Sequence, residues 1–317
     1  MITIKLVMMN GGLGNQIFQY VFMRYIELMT KEECIIDDTA FFSYTEAEIN
    51  NPVHNGFQLE RIFSLKPKRL SKMLDHDVYE KLLTLSAITD EEGNPQGIVP
   101  VFRDMGVDLK VLEEGLFYQM THNGFSGFLH SFMPPNEWYQ DITDFDGDVY
   151  YYGYWINYKW FAENTDVILK ELTFPQIKDD ANKAYMDMIK AAGTHSVAVH
   201  IRRGDFVTVG WVTHPKRYAE MIDYIRTKID KPVFFVFSDD MNWCRENLVA
   251  CGFKETDSIV FVEGNFRENS YIDMQLMKEC RGMVFSTSSF SYLASLLNTR
   301  RDKIAVHDSV RTVIYYK

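Results

Sequence analysis

The stretch Val197–Phe206, VAVHIRRGDF, carries the densest chemistry in the chain. Val197, Ala198, Val199 and Ile201 read as a buried strand that also holds His200, with Arg202, Arg203 and Asp205 directly after it. In an open α/β sheet, ligands sit in the crevice outside the carboxyl ends of the strands. Two adjacent arginines there are costly unless an anion meets them, and the guanidinium fork suits phosphate oxygens. The placement points to a phosphate-bearing ligand. An Arg–Asp ion pair closing the strand end uses the same residues and stays open as the plain alternative.

Four further clusters sit where strands should end. Near the amino terminus, Asn10-Gly11-Gly12-Leu13-Gly14-Asn15 joins a strand to a helix, which brings backbone N–H groups and a helix start toward any anion. Gly12-x-Gly14 and a later acid, Asp37, fit part of a dinucleotide fingerprint. Ile17 occupies the place of the third glycine, however, and no lysine with Ser or Thr follows as in a P-loop. A tight structural turn explains the loop equally well. Phe237-Ser238-Asp239-Asp240 closes a very apolar run, and its aspartates could take ribose or guanine hydrogen bonds or simply cap the next helix. Ser286-Thr287-Ser288-Ser289-Phe290 opens a helix and offers hydroxyls and N–H groups suited to phosphate, whereas capping alone needs one serine. Gly153-Tyr154-Trp155 with Lys159 and Phe161 could line a sugar cleft, and core packing is the alternative.

The elements that must position these residues follow a clear rhythm in the second half. Strand-like runs at Ser196–Ile201, Val233–Phe237, Ile259–Val262, Met283–Ser286 and Ile304–His307 alternate with helix-like stretches at Pro215–Lys228, Met241–Cys251, Ser270–Glu279 and Ser289–Leu297. Such alternation predicts a parallel sheet of βαβ units, a Rossmann-like domain. The first half begins alike, with a strand at Ile4–Met9, a well-buried helix at Gln16–Thr30 and a strand at Cys34–Asp37. Between about 40 and 150 the pattern loosens into short helical pieces such as Leu70–Ser86 and aromatic, turn-rich stretches; a strand at Asp148–Trp155 and a helix at Lys159–Leu172 follow. With Pro175 as hinge, the expected architecture is two α/β lobes, 1–175 and 176–317, with a nucleotide cleft between them.

The 317 residues carry a formal net charge of −11, which argues against a nucleic-acid partner though not against a local basic pocket. Cys34, Cys244, Cys251 and Cys280 form no CxxC pair or zinc-spaced cluster and read as reduced and structural. The pairs Asp37–Asp38 and Asp239–Asp240 are too sparse for a metal site, so no metal is expected. No run approaches the roughly 18 apolar residues of a membrane span, and the start MITIKLVMMNGG has no secretory pattern. A cytoplasmic protein is expected, with at most peripheral membrane association.

Taken together, GGLGNQIFQY at 11–20, GYWINYKWF at 153–161, HIRRGDF at 200–206, FSDDMNW at 237–243 and FSTSSFSYLASLLN at 285–298 resemble the bacterial α-1,2-fucosyltransferases of glycosyltransferase family 11. The five motifs stand in family order over nearly the whole chain. Tyr292 and Leu293 depart from the family, which usually has aromatic residues, often two tryptophans, at that point. The resemblance implies a GT-B fold, with an acceptor-leaning amino-terminal lobe and a donor-binding carboxyl-terminal lobe. It implies metal-independent, inverting transfer of L-fucose from GDP-β-L-fucose to the 2-hydroxyl of a galactoside, an oligosaccharide or glycolipid in surface-glycan assembly. No cofactor beyond the donor substrate is implied.

By the same resemblance, Arg202 would hold the departing β-phosphate and Asn15 would face the leaving group or sugar from across the cleft. Arg203 would share the phosphate grip, and Asp205 would orient the arginines. His200 and Asp239 would contact the nucleoside, Ser288, Ser289 and Phe290 would line the diphosphate and guanosine region, and Gly12 and Gly14 would admit the donor. The HxRR element also occurs in α-1,6 and protein O-fucosyl enzymes, so another linkage is an alternative. An NAD- or FAD-dependent oxidoreductase and a non-catalytic glycan- or nucleotide-binding protein are the readings from other classes.

Overall fold

The alternation of short apolar strands and helices builds two parallel sheets, one in each of two units, Met1–Thr173 and Phe174–Lys317. In the computed structural model, residues 3–42, 55–88, 97–114, 142–143, 145–307 and 313–314 are described.

The amino-terminal unit opens with β1 (Lys5–Met8), α1 (Leu13–Thr30) and β2 (Cys34–Asp37). Four helices follow: α2 (Leu59–Phe63), α3 (Leu70–Met73), α4 (His76–Ser86) and α5 (Ile98–Asp104). The unit ends with β3 (Lys110–Glu113), β4 (Val149–Tyr152), α6 (Tyr158–Ala162) and α7 (Thr165–Glu171). The strands lie in the order β2-β1-β4-β3, each pair parallel. On α1, Ile17, Phe18, Val21, Phe22 and Ile26 are all fully buried, as a helix apolar on several faces requires. Phe22 stacks on Trp155 with ring centroids 4.1 Å apart and meets Trp160 edge-on, so the aromatic GYWINYKWF run belongs mainly to the core.

Several expected elements differ in detail. The first helix begins at Leu13 rather than Gln16, which draws Gly14 and Asn15 into its first turn. Leu70–Ser86 is two helices, because Leu74 and Asp75 are extended and Asp75 starts a new one. Lys159–Leu172 likewise divides at Glu163 and Asn164. Sequence periodicity missed α5 and β3, both too short to show a period.

The carboxyl-terminal unit begins with α8 (Asp180–Ala192), also missed, then β5 (Ser196–Ile201), α9 (Gly204–Val209), α10 (Pro215–Lys228), β6 (Val233–Ser238) and α11 (Met241–Glu246). It continues with β7 (Ser258–Phe261), α12 (Tyr271–Met277), β8 (Gly282–Phe285), α13 (Ser289–Leu297), β9 (Ile304–His307) and β10 (Val313–Ile314). Strand order is β10-β9-β8-β5-β6-β7, parallel except for β10. β5, β6 and β8 are continuous apolar runs because helices cover both faces of such a sheet. Val199, Val236 and Val284 are fully buried, and α10 adds Ile222 and Ile225 to the same core. All four cysteines are free and buried. No helix among the described residues is long and apolar enough to cross a membrane.

Candidate active site

In the carboxyl-terminal unit the chain enters the sheet at β5, moves outward to β6 and β7, then returns to β8 on the other side. Strand order therefore reverses between β5 and β8, where the two following connections diverge and leave a crevice at the carboxyl ends. His200 pairs in register with Phe285 at this edge, so HIRRGD and FSTSSF emerge side by side.

Arg202 and Arg203 take different partners. The Arg202 guanidinium donates from Nη1 to Asp239 Oδ2 at 2.5 Å and from Nη2 to Asp205 Oδ1, one helical turn on. Its carbon lies 5.3 Å from the Phe206 ring centroid. Arg203 instead lies over the Trp243 ring at 3.9 Å and donates from Nε to Asp240 Oδ2 at 3.1 Å. Asp240 also accepts from Trp243 N and so caps α11, whereas Asp239 accepts from Arg203 N at 2.8 Å and caps nothing. Capping is thus met by Asp240, whereas Asp239 clamps Arg202, a role that neither reading of the pair included. Gly204 makes the clamp possible, since a β-carbon there would stand 2.5 Å from Asp239 Oδ2.

Two arginines face three carboxylates, so the ion-pair alternative is physically realised in this network. A guanidinium has five N–H donors, and these carboxylates engage two of Arg202's. The side chain remains about one-third exposed, so it can still reach an anion.

Beside the arginines lie two buried polar atoms with no hydrogen-bond partner among the described residues, His200 Nδ1 and Ser286 Oγ. Native structures rarely leave such atoms unpaired, so each marks a place where a ligand or water belongs. His200 is buried against Phe290, with ring centroids 5.9 Å apart. Burial, and then the Arg202 charge, push its imidazole down to about 3, so the ring is neutral at pH 7. Ser288 is the N-cap residue of α13, yet its side chain makes no capping bond. The helix start therefore presents backbone N–H groups to the same edge.

In the amino-terminal unit the strand order reverses between β1 and β4, and the glycine loop lies at that point. Its left-handed residue is Gly11 (φ +75°), while Gly12 is the N-cap of α1 and Gly14 lies in the first turn. Asn15 packs back onto Gly11. Gln16 donates to the carbonyls of Gly11 and Gly56 at 2.8 Å each, and Gln19 donates to Gly153 O at 3.0 Å while accepting from Asn10 N at 3.1 Å. The glutamines of GGLGNQIFQY thus tie the loop together, a role that spacing alone does not show. Asp37 does not occupy a ribose position: it is buried, accepts from Thr39 N and Oγ1 and from Tyr150 Oη, and its carboxyl is pushed up by burial.

Sequence reading passed over two polar groups of the carboxyl-terminal unit, His307 and Asp273. His307 ends β9 with its ring 4.8 Å from that of Phe285. Asp273 on α12 accepts from Asn265, and burial pushes its carboxyl up to about 7. Among the described residues no group of three His, Cys, Asp or Glu side chains is arranged to hold a metal ion.

The chain is 27% identical over 302 residues to an α-1,2-colitosyltransferase of Escherichia coli, covering 93% of this chain and 88% of that protein. It is also 27% identical over 154 residues to the galactoside 2-α-L-fucosyltransferase Sec1 of Mus musculus, covering 46% and 41%. Among solved structures, the fucosyltransferase NodZ from Bradyrhizobium aligns over 99% of this chain and 98% of its own at 14% identity, with a TM-score of 0.49. The family model for glycosyl transferase family 11 matches residues 100–310, more than half of the chain and all of the β5–β8 site. The chain belongs to glycosyl transferase family 11.

Proposed function

We propose that this glycosyltransferase moves L-fucose from GDP-β-L-fucose to the 2-hydroxyl of a galactoside, with inversion and without a metal ion. The observation that carries the reading is the convergence at the β5/β8 edge of Arg202, the uncapped start of α13 and the unpartnered atoms of His200 and Ser286. This set suits an anionic leaving group with a polar nucleoside beside it. The names of the fucosyl- and colitosyltransferase relatives support a deoxysugar and an α-1,2 linkage.

Glycosyl transfer passes through an oxocarbenium-like state as the diphosphate departs. Charge then builds on the β-phosphate, and preorganised donors aimed at it lower the barrier. Arg202 supplies a guanidinium held by Asp239 and Asp205, so little reorganisation is needed. Backbone N–H groups at the start of α13 add a second source of positive potential. Arg203 stacks on Trp243 and positions the strand-end backbone. His200 is neutral, so it hydrogen-bonds the nucleoside and carries no phosphate charge.

A second donor is favoured by the colitosyltransferase relative. Colitose is fucose without its 3-hydroxyl, so the same diphosphate contacts serve both sugars. Comparing kcat/KM for GDP-fucose and GDP-colitose with lactose as acceptor decides between them. A kcat/KM for GDP-colitose above that for GDP-fucose overturns the fucosyl assignment.

A further inference from the structure

The β1/β4 edge of the amino-terminal unit carries a feature that the donor site leaves unexplained. Immediately after β4, Trp155 adopts φ +53°, a left-handed conformation that a bulky side chain rarely takes. Such strain persists only where its surroundings enforce it, and it concentrates at functional sites. Here the enforcing groups are explicit. Glu114, buried at the end of β3, accepts from Trp155 N at 2.7 Å. Residue 153 must be glycine beside it, because a β-carbon would stand 2.4 Å from Glu114 Cβ. Gln19 donates to the Gly153 carbonyl at 3.0 Å, and Asn157 N closes the turn onto Trp155 O at 2.8 Å. The Trp155 indole is driven into the core against Phe22.

The residue this arrangement presents is Tyr154. Tyr154 is 43% exposed while Trp155 is fully buried. Its hydroxyl is bonded to the Asn10 side chain, whose Oδ1 accepts from Gln19 at 3.3 Å. One edge therefore joins a part-exposed aromatic side chain, its phenol and the Asn10 amide. Aromatic faces pack on the C–H faces of pyranoses, and neutral polar groups exchange hydrogen bonds with sugar hydroxyls.

We infer that the Gly153–Trp155 turn is the subsite on the amino-terminal unit that takes the neutral sugar acceptor, with Tyr154 as its contact residue. Glu114 and Gln19 are positioning residues that hold the strained turn. The inference rests on the transferase reading above and adds where the acceptor is recognised.

The test measures KM for lactose and for GDP-fucose, together with the GDP dissociation constant, in the unmodified protein and in Tyr154→Ala, Glu114→Ala and Glu114→Gln. Tyr154→Ala is expected to raise the lactose KM about tenfold, with the donor KM and GDP affinity within about twofold of the unmodified protein. Glu114→Ala should shift the lactose KM in the same direction, and Glu114→Gln should restore it because the amide oxygen still accepts from Trp155 N. An unchanged lactose KM in Tyr154→Ala overturns the inference, as do acceptor and donor KM values that rise together. Loss of GDP binding in the unmodified protein would count against the donor reading instead. Saturation-transfer NMR then reads lactose binding directly, and a signal that survives Tyr154→Ala, or none from the unmodified protein, overturns the subsite.

Discussion

Asp239 reaches across Gly204: the carboxylate Oδ2 that binds Arg202 lies 2.5 Å from where a β-carbon on residue 204 would stand. The clamp on Arg202 therefore depends on a missing side chain as much as on an ion pair. Gly204→Ala should push Asp239 off the guanidinium and the Arg203 amide together. The expected result is a GDP dissociation constant raised about tenfold or more, about 1.4 kcal/mol, measured by calorimetry. Binding equal to that of the unmodified protein would show that the clamp does not orient Arg202.

Arg202 itself carries the leaving-group charge in this account. Arg202→Ala should lower kcat by about 10²–10³-fold, the range for losing one preorganised donor in a shielded site. Arg202→Lys keeps the charge but loses the fork that contacts Asp239 and Asp205 at once, so an intermediate loss is expected. Unchanged far-UV circular dichroism in both variants would separate this effect from unfolding.

Gln19 makes a structural prediction for the other unit. Its side chain satisfies Asn10 N–H and Gly153 C=O, which lie just after the two strands flanking the reversal. Gln19→Leu has similar volume but leaves both groups unpaired. Urea unfolding should show a loss of about 2–4 kcal/mol. A loss below about 0.5 kcal/mol would mean that water readily replaces the amide.

His200 gives a pH signature of definite sign. Burial and the Arg202 charge lower its pKa from 6.5 to about 3 in the folded protein. The stability that comes from keeping it neutral is complete above about pH 6.5 and is lost as pH falls toward 3. Between pH 6.5 and 5 the loss amounts to about 2 kcal/mol. Asp273 acts oppositely, because its raised pKa removes stability as pH rises from 3.8 through about 7. Comparing His200→Gln with the unmodified protein isolates the histidine. The variant's relative stability should improve by about 2 kcal/mol between pH 7 and pH 5. A difference that does not change with pH would contradict a buried neutral imidazole.

Much of the carboxyl-terminal unit was legible because its strands are continuous apolar runs bounded by polar ends. Ser196–Ile201 and Ile304–His307, with the helices Pro215–Lys228 and Ser289–Leu297, lie where the pattern predicts them. The amino-terminal unit was harder to read. Its four-residue strand β3 is too brief for period-two alternation, and the break at Leu74–Asp75 follows from backbone geometry, not composition. At the site, residue types pointed to Arg202 and Asp239, but not to the division of labour that sends Arg203 onto Trp243. Local sequence cannot show which partner a long side chain finds across a sheet. Glu114 escaped for the same reason: its significance lies in a tertiary hydrogen bond.

The most direct test of the account is a transfer assay with GDP-fucose and lactose in the presence of EDTA, following GDP release and assigning the product linkage by NMR. Lactose-dependent GDP release and a single product bearing α-L-fucose on the 2-hydroxyl of galactose are expected. Fucose on another hydroxyl, or activity only when a divalent metal is restored, would contradict it.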